Sequence, residues 1–203
     1  LTPFVMTHLP NPLPTGALFL AILFVEFLTG ALIGTIARIF MSITDTAGMI
    51  ISFQAGLSNA QLFNPMMASQ GSLVGAFLSL SAATLLFALN LHHLLLMGLI
   101  ESYTRFPIGQ VPDTASMADV VTRSVASAFM IAVQMSAPFI VLILILYTAM
   151  GVLSKLMPTL QIFMLAMPVQ ILLALVLLSL STSGMLFYFA KQYKNHVGTF
   201  LGG

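Results

Sequence analysis

The side chains in this sequence that could take part in chemistry are few, and their spacing limits what they can do. Glu26 falls in about the third turn of an apolar stretch. A carboxylate inside a membrane helix is costly, so it is a candidate for a proton relay, a buried hydrogen bond or a contact with another subunit. Arg38 cannot neutralise it along one straight helix, because the intervening turns place the two about 18 Å apart. His92 and His93 invite a metal-site reading. Neighbouring helix residues point about 100° apart, however, so the pair cannot grip one ion as an i,i+4 pair does. No HExxH, CxxC or carboxylate ladder accompanies them. No metal or cofactor is expected, and His92, His93 and Asn90 are read as interhelical hydrogen-bonding residues. Ser, His and Asp all occur, but without a GxSxG elbow, a Gly-rich phosphate loop or a paired-acid motif. The sequence therefore predicts no enzyme. It contains no cysteine, which excludes disulfides, thiolate nucleophiles, zinc ribbons and iron–sulfur clusters.

The surroundings of these residues are almost wholly apolar. Hydrophobic residues make up 59% of the chain and charged residues 5%, against about 25% charged in an average soluble domain. The mean hydropathy is +1.08. Such a chain lacks the polar surface that water demands, so it reads as an integral membrane protein or the core of a membrane-embedded assembly. A net charge of +1 with no basic patch excludes nucleic acid as a partner. The 14 Met and 16 Phe suit lipid-facing and helix–helix packing, or a deformable lining around a conduit.

The expected fold class is all-α: four long, kinked apolar helices arranged as hairpins in a single domain, 1–203. Residues 1–15 form a Pro-rich opening with Pro3, Pro10, Pro12 and Pro14. A helix over 16–59 would reach about 60 Å, twice a bilayer core, and is expected to break in the cluster Ser42–Gly48. Residues 60–71 form an uncharged loop that carries Met and Phe around the turn signal Asn64-Pro65, so it is expected to pack against something. A second helix runs over 72–103 and a polar loop over 104–115. A third helix, 116–155, opens with Ser116 as its cap, carries Asp119 and Arg123 at i,i+4 spacing, and kinks at Pro138. Pro158 begins a fourth, 158–193, with Lys191 and Lys194 at its end.

Gly30 and Gly34 form a GxxxG step on the face of Glu26, a spacing that lets helix backbones approach closely; Gly71 and Gly75 repeat it. Glu26, Gly30, Gly34, Asn90, His92, His93, Pro138 and Pro158 are thus the candidate packing and subunit-contact residues. Arg105, Arg123, Lys191 and Lys194 fall on one side and Lys155 on the other, which makes the first side cytoplasmic. Broken helices at membrane depth are tolerated where protein buries them or a cavity adjoins them. Much of this apolar surface is therefore expected to be covered by partner subunits as well as membrane lipids.

A set of short motifs then occurs in order. They are Glu26-x3-Gly30-x3-Gly34, Gln54-Ala55-Gly56-Leu57-Ser58, Phe63-Asn64-Pro65, and Leu86-Phe87-Ala88-Leu89-Asn90-Leu91-His92-His93-Leu94-Leu95. Ser102, Pro107-Ile108-Gly109, Ala137-Pro138, Gly151 and Pro158-x4-Phe163-x4-Pro168 follow. Together they resemble the FliR family of flagellar biosynthesis proteins and its virulence type III secretion counterparts, over most of the chain. Family members often carry Asp-Pro where this chain has Asn64-Pro65, a Gly where it has Leu91, and Pro-Gln-x-Asn where it has Pro158-Thr159-Leu160-Gln161. Family chains are also longer at the N-terminus, so a native N-terminal helix is expected to lie ahead of Leu1.

The resemblance implies a subunit of an inner-membrane export gate, assembled with FliP-like and FliQ-like small membrane proteins and with an FlhB-like subunit as a further partner. Unfolded protein substrates would cross a central conduit. The assembly would sit partly above the bilayer plane, within a flagellar or injectisome basal body. The family's loop corresponding to residues 56–72 projects into the conduit. Leu62, Phe63, Asn64, Pro65, Met66 and Met67 are on that basis the expected closing plug, with Phe63, Met66 and Met67 as a soft gasket aimed by the Asn64-Pro65 turn. The alternatives are a secondary transporter or proton-channel subunit using Glu26 and His92 with Glu101, and a scaffold without a conduit. Transport folds usually show internal pseudo-repeats, and none is visible here.

Overall fold

A computed structural model of the chain describes residues 16–58, 72–105, 108, 114–156 and 162–202. The elements are α1 (Ala17–Gln54), α2 (Leu73–Ala88), α3 (His92–Arg105), α4 (Thr114–Leu156) and α5 (Ile162–Gly202). Among the described residues there is no strand. An all-α chain is what this composition requires. Where water cannot satisfy backbone groups, a helix does so within its own segment.

Four features differ from the sequence expectation, three of them in the first half of the chain. The first is that α1 is unbroken through Ser42–Gly48. One of the hydroxyls that suggested a break instead meets a neighbouring helix, Thr44 Oγ1 lying 3.3 Å from Ser79 Oγ. A hydroxyl engaged elsewhere does not compete for its own backbone. Second, α1 ends at Gln54 rather than near Asn59. Gly56 adopts φ 74° there, a left-handed conformation that glycine enters without a Cβ penalty.

Third, the expected helix over 72–103 is two helices, bent by 74° at their break. Asn90 sits at the break with φ 57°. The Asn90 N–H donates to the Phe87 carbonyl at 3.1 Å and the Leu91 N–H to the Leu86 carbonyl at 2.9 Å. That pair of bonds is a Schellman cap with Asn in the left-handed position. At the far end of the chain, α5 continues to Gly202, beyond the 193 expected. Both Pro138 and Pro168 lie within helices, each removing one backbone donor from its ladder.

Internal contacts divide the chain into two units. The first comprises residues up to Met41, Leu86–Ala128 and those from Lys191. Phe40, Ser124 and Tyr193 are fully buried in it, and the Phe40 ring lies 5.7 Å from that of His196. The second comprises Ser42–Leu85 and Phe129–Ala190. Its core alternates small residues (Ala47, Ala82, Ala132, Ser136) with Leu78, Phe139 and Phe189. The small residues let helices come close, and the large ones fill the spaces beside them.

The outside is as apolar as the inside. Three helices are long and apolar enough to cross a membrane (Ala17–Gln54, Ala115–Leu156 and Ala166–His196), and the bent pair α2–α3 makes up to four. Only 6% of the most apolar window of α1 is buried within the chain, and 11% of that of α5. Phe24, Phe27, Leu180 and Phe187 are all more than half exposed. A surface of this kind is covered by lipid or by other subunits. The protein is therefore a membrane protein.

Candidate functional site

The two stems of the segment 59–71 carry the densest buried polar structure among the described residues. At the first stem, the last turn of α1 must place its final carbonyls, which have no partner within the helix. Each of them has one here. The Ile51 carbonyl accepts from the Ala55 N–H at 2.7 Å, that of Ser52 from Leu57 N–H at 3.0 Å, and that of Phe53 from Gly56 N–H at 3.2 Å. The Gln54 carbonyl accepts from Gln170 Nε2, on α5, at 2.6 Å. Gln170 is itself buried, at 6% exposure in a helix otherwise rich in Leu and Val. An amide in that position is costly unless bonded, and the end of α1 supplies the bond.

Ser72 governs the second stem. It caps α2, accepting the Gly75 N–H on its hydroxyl at 3.0 Å. The same hydroxyl donates to the Gly48 carbonyl at 3.1 Å. Its single hydrogen is then used, so in the 2.6 Å contact with Ser52 it is Ser52 that donates. One donor and two acceptor sites exhaust what a serine hydroxyl offers. Ser52 and Ser72 are both buried.

Glycine brings these groups together. A Cβ on Gly48 would collide with the Cα and N of Gly75 and stand 2.8 Å from the Val74 carbonyl carbon. A Cβ on Gly75 would stand 2.6 Å from Asp45 Oδ1 and 3.0 Å from the Asp45 carbonyl oxygen. Backbone therefore meets backbone between α1 and α2. Thr44, Gly48 and Ser52 recur at i, i+4 and i+8 on α1, and Ser72, Gly75 and Ser79 at 0, +3 and +7 at the start of α2. Each set lies on one helix face, and this two-sided pattern was the available signal for the seam.

The residues singled out from the sequence fall differently. Leu62, Phe63, Asn64, Pro65, Met66 and Met67 lie outside the described residues, as do Gly71 and Pro158. Glu26 is half-buried on α1, and its carbonyl accepts from Thr29 Oγ1 at 2.9 Å. A Cβ on Gly30 or Gly34 would meet nothing within 4 Å. Within this chain the close glycine approach therefore belongs to Gly48 and Gly75, not to the GxxxG step. The Asn90 carbonyl accepts from the His93 N–H at 3.2 Å and lies 3.2 Å from His93 Nδ1. The His92 ring sits 5.2 Å from Phe87 and 4.2 Å from His93. This cluster lies at the α2–α3 break, with local contacts among its own residues.

Pro138 lines a surface cleft of about 450 Å³ with Gln134, Met135 and Met185. The Tyr188 hydroxyl donates to Gln134 Oε1 there at 2.6 Å. Asp119 and Arg123 form the expected i,i+4 ion pair at 2.8 Å. Among the described residues no three His, Cys, Asp or Glu side chains cluster as a metal site.

Fold and site together define a helical membrane protein whose buried polar groups tie helix to helix. The sequence model of a family described as bacterial export proteins, family 1, matches residues 1–196. The chain belongs to that family. It is 38% identical over 191 residues to the flagellar biosynthetic protein FliR of Caulobacter vibrioides, covering 94% of this chain and 76% of that protein. With FliR of Bacillus subtilis the identity is 30%, over 83% of this chain and 66% of the relative. With the Yop proteins translocation protein T of Yersinia pestis it is 29%, over 82% and 64% respectively. The chain thus spans about two thirds to three quarters of the length of these relatives.

Proposed function

We propose that the chain is a non-enzymatic subunit of the protein-export gate of a flagellar or virulence type III secretion system, set in the bacterial inner membrane. The observation that carries this reading is the family match over residues 1–196, with relatives named both for flagellar biosynthesis and for Yop protein translocation. In this reading FliP-like and FliQ-like membrane proteins surround the chain, with an FlhB-like subunit alongside. Unfolded substrates pass through a conduit that the chain helps to form. The exposed apolar surface of α1 and α5 supports the reading, since so much uncovered surface calls for partners or lipid. Residues 62–67 act as a deformable plug. Their Met and Phe side chains exclude water and ions while binding no passing sequence tightly. A transporter or proton channel using Glu26 and His92 is the weaker reading, because the relatives carry export names.

The test of membership is native mass spectrometry of the chain co-expressed with its neighbouring small membrane proteins and extracted in mild detergent. One copy in a larger hetero-oligomer is the expected result. A stable monomer or homodimer that retains no partner would overturn the proposal. For the plug, replacing residues 62–70 by a Gly/Ser stretch in the assembled complex is expected to leak ions, and an unchanged membrane conductance would refute it.

A further inference from the structure

The surface cleft between α4 and α5 holds polar groups that the described residues do not complete. Pro138 has no N–H, so the Gln134 carbonyl, four residues back, lacks its ladder donor. The Gln134 side chain accepts the Tyr188 hydroxyl on Oε1 at 2.6 Å. That bond orients the amide and leaves both hydrogens of its Nε2 unused among the described residues. Gln134 thus brings an acceptor and a donor to one place, and it is exposed. It lines the cleft with Met135, Pro138, Gly184, Met185 and Tyr188. Gly184 leaves the cleft open on the α5 side, since a Cβ there would meet nothing within 4 Å.

The position of the cleft decides what can satisfy these groups. No charged residue occurs between Arg123 and Lys155 on α4, or from Ile162 to Ala190 on α5. At 1.5 Å rise per residue, Gln134 lies about 16 Å from Arg123 and Pro138 about 25 Å from Lys155. Water and lipid headgroups stay outside so long an apolar stretch, and acyl chains offer no hydrogen bond. An unmade bond is costly there, whereas a polar side chain from a neighbouring helix supplies it. The open pair calls for a group with an oxygen and an N–H side by side. A carboxamide is that group. Its oxygen accepts from Gln134 Nε2 while its N–H₂ donates to the Gln134 carbonyl. A Ser or Thr hydroxyl would leave most of the 450 Å³ empty. Met135 and Met185, both buried, are flexible enough to close around an incoming stem.

We infer that this cleft is the docking site for a membrane helix of another subunit, which inserts an Asn or Gln side chain against Gln134 beside Pro138. The inference rests on the reading above in one respect, that further membrane subunits surround the chain. It adds the place and the chemistry of one contact.

The experiment uses the complete co-expressed complex in membranes. A photo-crosslinking benzoylphenylalanine replaces the exposed Phe187, about one turn along α5 from Gly184. The expected crosslink is to an apolar segment of another subunit that carries an Asn or Gln within about two turns of the linked residue. Crosslinks only to lipid, to a second copy of this chain, or to a segment without an amide would overturn the inference. Pro138→Ala restores the N–H and closes the ladder on the Gln134 carbonyl. The single chain should then be at least as stable in thermal unfolding, while the complex dissociates about three- to tenfold more readily on dilution. Gly184→Leu fills the cleft and should displace the partner. Gly151→Leu is the control. Its Cβ also meets nothing within 4 Å, and it lies outside the cleft, so that complex should be unchanged.

A complex as tight as wild type with either Pro138→Ala or Gly184→Leu would overturn the inference, as would equal weakening by Gly151→Leu. If the wild-type chain retains no partner at all, the proposed function fails, and a second measurement then decides the docking site. The full chain in lipid vesicles is given a labelled poly-leucine membrane peptide with one central Asn, at low peptide density, and energy transfer to the chain is read. Transfer stronger than with the all-leucine peptide, and lost in Gly184→Leu, upholds the site. Equal transfer from the two peptides ends it.

Discussion

Replacing Gly48 by alanine tests the α1–α2 seam most directly, because two opposing effects can be set against each other. Alanine in a helix interior is favoured over glycine by about 1 kcal/mol. At Gly48 the added Cβ meets the Cα and N of Gly75 and the carbonyl carbon of Val74. These are backbone atoms, which cannot rotate aside, so the helices must separate. Overpacking of this kind costs about 1–3 kcal/mol. Separation also lengthens the 3.1 Å bond from Ser72 Oγ to the Gly48 carbonyl, worth about 1 kcal/mol net. The balance is a loss of about 1–3 kcal/mol. For a chain of this length that is a drop in Tm of roughly 2–12 °C.

Gly34→Ala is the matched control. Its Cβ meets nothing within 4 Å of this chain, so the isolated subunit should gain about 1 kcal/mol. The same change should weaken the assembled complex if another helix lies against the Gly30–Gly34 face. The assay is thermal unfolding in detergent, followed by fluorescence-detected size exclusion, for the single chain and for the complex. A Gly48→Ala chain as stable as Gly34→Ala would refute the backbone contact and the seam built on it.

Two further changes test local features. Asn90 holds φ 57° at the break between α2 and α3, so Asn90→Gly should leave thermal stability unchanged or slightly raised. Asn90→Val should lower it by about 1–2 kcal/mol, because a β-branched residue is strained in that region; equal stability of the two variants in the same unfolding assay would refute the cap. Asp119 and Arg123 pair at 2.8 Å with side chains 55% and 74% exposed. Asp119→Asn should therefore change stability by less than about 0.5 kcal/mol, and a larger shift in the unfolding curve would mean that a partner buries the pair.

Much of this protein can be read from the residues alone. Five per cent charge with long apolar runs leaves only helices that satisfy their own backbones in lipid, and the ordered motifs from Glu26 to Pro168 point to the export family that the comparison bears out over residues 1–196. Local chemistry also held the two Schellman ends, since Gly56 and Asn90 are the residue types that enter the left-handed region. The Asn90 break was missed because its neighbours are strong helix formers.

What could not be read is which small and polar residues meet. Local propensity made Ser42–Gly48 a break, and the tertiary fold made it a seam by supplying Ser72, Gly75 and Ser79 from the next helix. The GxxxG spacing pointed to Gly30 and Gly34, while the close backbone approach within the chain fell at Gly48 and Gly75. Gln170 gave no sign of its role, because its partner carbonyl lies 116 residues away. The cause is common to all three. In a helix that is apolar on every side, hydrophobic periodicity does not mark the buried face. Contact is then decided by where glycine permits approach and where a hydroxyl or amide finds a carbonyl, and both are properties of a pair of segments brought together by the fold.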